Sequence, residues 1–274
     1  MSVRSVQKPD DRTHNRFSSS RLVQLLQQWQ LLEPPTQWPG LAEQLGRWTD
    51  WTDAVALAAV LSGDPATAPG AAPSTRSPAL PRAALTPAQA WEGLVKVRDG
   101  LLADIATDPL FAAAAGVRSS ASAQAGDAPD FGACRRQHQA HQRAMERQLA
   151  PWREAVRDLL GRHAPVHSPA LAPLAALDAV MARALEERES HLLSRLPLVL
   201  ERHFVRLCQG PASSVRSGPA SGPGQAQFIN DVQALLRAEL EFRLEPIEGM
   251  LEALNLPGLA AGPHLTRAPA ELPS

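Results

Sequence analysis

Cys134, His138 and His141 follow a C-x3-H-x2-H pattern, which at helical spacing places all three on one face within two turns. Thiolate and imidazole are the ligands that zinc and other borderline metals take. The next helix can supply a fourth group. If it folds back as an antiparallel hairpin with its turn centred near residue 166, His141 lies opposite His191. Cys134, His138, His141 and His191 therefore form a candidate metal set. The preferred alternative is a pair of hydrogen-bonded core histidines beside a buried thiol that behaves as a small hydrophobe. On the same register Cys134 faces residue 198, about 15 Å along a helix from Cys208. A disulfide needs Cα atoms within roughly 7 Å, so none is expected.

Other catalytic templates fail on spacing. No histidine has a glutamate three residues before it, which removes the Glu-x-x-His motif of di-iron bundles. H-E-x-x-H, P-loop, G-x-G-x-x-G and G-x-S-x-G patterns are all missing. Glu186, Glu187 and Glu189 form an acidic cluster that reads as a solvated helix face. The expectation is a protein that is not an enzyme and carries no cofactor.

The elements that would position the Cys/His face are helices. From Asp130 to His163 an inward stripe runs through Phe131, Cys134, His138, His141, Met145, Leu149, Trp152, Val156 and Leu159, in steps of three or four. Pro151 is expected to kink or restart this helix. HAPVHSP at 163–169 reads as a turn, followed by a second long helix to Cys208 that Pro197 interrupts. A third runs from Gln227 to Asn255 around Phe228, Val232, Leu235, Phe242, Ile247, Met250, Leu251 and Leu254. Thr86, Pro87 and Gln89 give an earlier helix a cap, a proline at its first position and a capping-box partner.

Upstream, Ser18, Ser19 or Ser20 can cap a helix carrying Leu22, Val23, Leu25, Leu26 and Trp29. A further helical stretch carries Trp48 and Trp51, with Asp50 or Asp53 able to start a new turn. Three residues apart on a helix, Trp48 and Trp51 would face one way. They read first as packing anchors, and in functional terms as a docking surface for a protein partner.

Composition narrows the field. With 25 prolines and only 4% aromatic residues, none of them tyrosine, the core must be built from Leu, Ala and Val, which favours helices. Expected disordered segments are 1–17, 63–85 and 256–274, with loops at 116–129 and 209–226. The folded parts are then an N-terminal helical unit over 18–62 and a helical bundle over 86–255. Residues 135–162 hold seven arginines and three acids, whereas 231–252 hold two arginines and six acids, so a basic and an acidic helix can neutralise each other. With a formal net charge of −1, bulk attraction to nucleic acid or anionic membrane is not expected. Nucleic-acid binding through the arginine-rich helix is a further alternative. Two cysteines and a polar N-terminus without an apolar core point to a cytoplasmic protein, and no apolar run is long enough to insert in a membrane.

LVQLLQQW, LAEQLGRWTDWTDAVALAAVLSG and AELEFRLEPIEGMLEAL, in that order, resemble a family of uncharacterised bacterial proteins defined only as a domain of unknown function. The resemblance implies genes placed near those of MotA-like and OmpA-like envelope proteins, and it assigns no catalytic residue. Together these observations predict an all-α, cytoplasmic, non-enzymatic interaction or accessory protein, possessing a protein partner in an envelope-spanning complex. The metal-binding helical protein is the main alternative.

Overall fold

A computed structural model describes residues 20–29, 41–62, 85–114, 131–167, 171–208 and 223–255. The expected disordered stretches 1–17, 63–84 and 256–274, and the loops at 116–129 and 209–222, lie outside these residues. The protein is all-α: α1 Arg21–Gln28, α2 Leu41–Trp48, α3 Trp51–Leu61, α4 Pro87–Thr107, α5 Pro109–Ala114, α6 Phe131–His167, α7 Ala172–Leu193, α8 Leu196–Cys208 and α9 Pro223–Asn255. Among the described residues there is no strand.

Local chemistry explains where several helices begin. Thr86 N donates to Gln89 Oε1 at 3.0 Å and Gln89 N donates to Thr86 Oγ1 at 3.3 Å, a reciprocal capping box that opens α4. Asp108 opens α5 in the same spirit, accepting from Leu110 N at 2.9 Å. Asp50, in an extended conformation, accepts from Asp53 N at 2.7 Å and starts α3.

That cap corrects the reading of the tryptophan pair. Trp48 ends α2 and Trp51 begins α3, so the two rings sit on different helices, and their three-residue spacing does not place them on one face.

The prolines within the long helices act differently from one another. α6 continues through Pro151 and Pro165 to His167, so residues 163–167, expected to be turn, are helical. At Pro197 the expected interruption is present, with Ser194 and Arg195 in a turn between α7 and α8. Proline at 197 has no N–H for the carbonyl of Leu193, four residues earlier. Gln142 Nε2 donates to that carbonyl at 3.4 Å, and Ser194 Oγ donates to His191 O at 2.8 Å, so the break has its own hydrogen bonds. Residues 223–226, expected to be loop, form the first turn of α9.

The chain forms two compact units, and the segmentation expected at 62 and 86 gives way to an interleaved one. The first comprises 1–41, 95–150 and 187–245, and the second 42–94, 151–186 and 246–274. An N-terminal unit over 18–62 therefore does not stand alone: α1 belongs to the first unit and α3 to the second. In the first, Leu22, Leu25 and Leu26 of α1 are buried, together with Leu101, Ile105, Met145, Leu200, Phe228, Leu235 and Leu240. Trp29, just past α1, stacks on His203 at a centroid distance of 4.3 Å, and Arg206 Nη1 donates to its carbonyl.

In the second unit Ala56 and Val60 of α3 pack with Val180, Ala176 and Leu177 of α7. Arg183 bonds Asp53 beside them at 3.3 Å. Trp152 lies across Gly93, where a Cβ would overlap its ring. Arg153 and Arg157 both grip Asp178 at 2.7 Å. Burial pushes the Asp178 carboxyl up, but the two guanidinium groups outweigh it and hold the carboxyl below its ordinary value. The arginines of α6 thus pair here with α7, not with the acidic α9 as charge counting suggested.

Candidate functional site

The inward face of α6 carries the polar residues singled out by spacing. Cys134, His138 and His141 are all buried, as are Met145, Leu149, Val156 and Leu159 along the same stripe. The three-and-four periodicity therefore named the face correctly. His191 lies near the end of α7 and is exposed. Among the described residues no group of three or more His, Cys, Asp or Glu could hold a metal ion. Cys134, His138, His141 and His191 thus do not assemble into the expected ligand set, because the hairpin register does not turn His191 inward. Cys134 and Cys208 are not joined in a disulfide, as expected, and burial raises the thiol of Cys208.

Each buried histidine instead meets a carboxylate of the first unit. His141 Nε2 lies 2.8 Å from Asp108 Oδ2. An ionised carboxylate can only accept, so Nε2 carries the proton. Gln137 Nε2 donates to the same oxygen, leaving Asp108 both the start of α5 and the anchor of α6. His203 Nε2 lies 2.7 Å from Asp231 Oδ2, and the ring is sandwiched between Trp29 and Phe228.

His138 is different. Its ring is fully buried and, among the described residues, neither nitrogen has a hydrogen-bond partner. Glu239 Oε2 is 3.7 Å from Nε2, beyond hydrogen-bond reach.

Glu239 is the centre of the network. It is fully buried on α9 and accepts from Gln142 Nε2 at 3.0 and 3.1 Å, and from Arg243 Nε and Nη2 at 3.1 and 2.8 Å. Arg243 reaches on to Glu146 of α6 at 3.3 Å. Burial pushes the Glu239 carboxyl up, outweighing the lowering by Arg243 and Gln142. Burial also drives His138 down to about 4, helped by the charges of His141 and Arg243.

Above the network a cleft of about 260 Å³ opens between Gln142, Arg143, Glu146, Ser190, Ser194 and Arg243. Burial thus favours the neutral forms of both Glu239 and His138.

These states fix a pH dependence. His138 is neutral in the folded protein at pH 5, whereas in the unfolded chain its ordinary value of 6.5 leaves it protonated. Unfolding therefore takes up a proton between about pH 6.5 and 4, and stability falls as pH falls through that window. The contribution is about 3 kcal/mol across the window. Urea denaturation at pH 7 and pH 4.5 should show a shallower loss for His138→Gln than for the wild type. An identical loss in both would remove His138 as its source.

Glu239, Gln142 and Asp108 escaped the sequence reading as site residues. Asp108 carried a signal, its place before Pro109 at a helix start. Glu239 carried none, because it sits among six acids on one helix and its burial depends on α6. Of the expected docking pair, Trp48 is half-buried, whereas Trp51 is 83% exposed.

Fold and site together define an all-α helical protein whose polar groups lock long helices to one another. Within that class, the chain belongs to the family described as Protein of unknown function (DUF3348), whose profile matches residues 7–256. No curated protein and no solved structure matches the chain. Among the described residues, no helix is long and apolar enough to cross a membrane.

Proposed function

We propose that this protein is a non-enzymatic interaction or accessory protein that holds a protein partner on the outer face of α3. One observation carries the reading. α3, WTDAVALAAVL, is apolar almost all the way round, yet only Ala56 and Val60 are buried. A helix apolar on every side is ordinarily covered on every side. Here Trp51 is 83% exposed, Leu61 69% and Val55 41%. An exposed tryptophan with an exposed valine one turn on has the composition of an interface anchor.

The buried histidines fit this reading as structural groups, since Asp108 and Asp231 already satisfy two of them. The sequence resemblance, with its implied neighbours of MotA-like and OmpA-like type, supports a partner in an envelope-spanning complex approached from the cytoplasm. Nucleic acid is the weaker partner, because Arg153 and Arg157 of the basic helix are already tied to Asp178.

Co-expression with the MotA-like and OmpA-like proteins, followed by affinity capture, tests the proposal. The wild type is expected to retain one of them in a salt-resistant complex. Trp51→Asp, a surface change, should lower recovery at least about tenfold with the circular dichroism spectrum intact. Equal recovery by both proteins, or recovery of neither partner by the wild type, would sink it.

A further inference from the structure

The end of α7 and the outer face of α8 carry a second exposed stripe, in which apolar and arginine side chains alternate. Leu192 is 64% exposed, Leu198 59% and Val205 46%. Arg195 and Arg202 lie between them, seven residues apart and exposed, and neither forms an ion pair among the described residues. The helix cannot roll to hide these groups. Leu196, Leu200 and His203 bury its opposite face, with His203 bonded to Asp231 at 2.7 Å. The turn at Ser194–Arg195 is held as well, by the bond from Gln142 to Leu193 O.

We propose that this stripe binds a partner helix whose apolar seam is flanked by acidic side chains. The apolar seam would seat on Leu192, Leu198 and Val205. Carboxylates one heptad apart would meet Arg195 and Arg202, as charges flanking a helical seam choose partner and orientation in coiled coils. Arginine suits the role because its fork pairs with a carboxylate through two parallel hydrogen bonds and is weakly hydrated. Glu201 is exposed on the same helix, but so is Arg206, so the face keeps a positive charge that favours acid over base.

On α8, Leu198, Arg202 and Val205 share one face over about 10 Å, two turns of helix, and Leu192 and Arg195 precede them across the turn. Three apolar anchors make a small contact, of the size class of transient encounters. The inference rests on reading the chain as an interaction protein, but it uses residues separate from the α3 face.

The full chain is titrated, by fluorescence anisotropy, with a labelled synthetic helix of about 18 residues, long enough to cover the stripe. One version carries leucine at its seam and glutamate on the flanks; a second carries lysine in place of glutamate. The glutamate peptide is expected to saturate in the micromolar range and the lysine peptide to bind at least about tenfold more weakly. Leu198→Asp should abolish most of the binding, and Arg195→Glu with Arg202→Glu should reverse the preference. Trp51→Asp should leave all of this unchanged, which separates failure here from failure of the α3 reading. Equal binding of both peptides, no binding by the folded protein, or a preference that survives charge reversal overturns the proposal. So does a wild-type dimer that Leu198→Asp dissociates, since a second copy would then be the occupant.

Discussion

Arg243→Ala is expected to destabilise the protein by about 3–5 kcal/mol at pH 7.5, the cost of leaving a buried charge without its partner. Glu239 is fully buried, and Arg243, itself only 11% exposed in its side chain, contributes two of the hydrogen bonds to the carboxylate. Without it, the Gln142 amide remains. The sign with pH follows from the direction of the Glu239 shift. Its carboxyl is raised in the folded state, so the proton-bound form fits the fold and stability is lost as pH rises through the folded value. Removing Arg243 raises that value further. The deficit should therefore shrink as pH falls and be greatest in alkaline solution.

Urea denaturation across pH checks this, with the double variant Arg243→Ala/Glu239→Gln as the control. A neutral amide at 239 has no charge to strand, and the double variant should recover most of the loss. A deficit under about 1 kcal/mol at pH 7.5, or a double variant no better than the single one, would show that this ion pair within α9 does not stabilise the buried carboxylate.

The second large effect is apolar. Phe228→Ala should cost about 3–5 kcal/mol, combining lost transfer energy with the cavity left behind. Phe228 is fully buried and meets the edge of Phe204 at 5.0 Å, with Phe131 at 6.4 Å and His203 at 6.2 Å. The cluster joins the starts of α6 and α9 to α8, so a void there is bounded by three helices that cannot all collapse into it. Phe228→Leu keeps most of the volume and should cost less than about 1.5–2 kcal/mol. Thermal and chemical denaturation of the two variants gives the comparison; an alanine cost no larger than the leucine cost would mean that the site relaxes freely.

Helix identity and inward faces were legible because they are short-range properties. The stripe from Cys134 to Leu159 is buried where its spacing predicted, and Thr86 with Gln89 forms the capping box its three-residue separation implied. Boundaries at proline were less legible. Pro151 is accommodated within α6, whereas Pro197 accompanies a break, and the difference includes Gln142, a residue 51 positions from the carbonyl it satisfies. Trp48 and Trp51 mislead for a related reason. Their spacing counts only within one helix, and the Asp50 cap ends that condition between them.

By itself, the sequence determined that this chain is helical, which sides of its helices turn inward, and that two histidines and a thiol share one such side. Helix propensity, capping and periodicity act over a few residues, and those residues are written next to one another. Tertiary structure alone decided what the inward polar groups do. His141 finds Asp108 33 positions away, Gln142 finds Glu239 97 positions away, and His138 is left beside Glu239 without a bond. Whether a buried imidazole becomes a ligand, a tie or an unpaired group depends on which carboxylate or carbonyl the packing brings within about 3 Å. The same packing turned His191 outward, away from a metal set, and left Trp51 exposed.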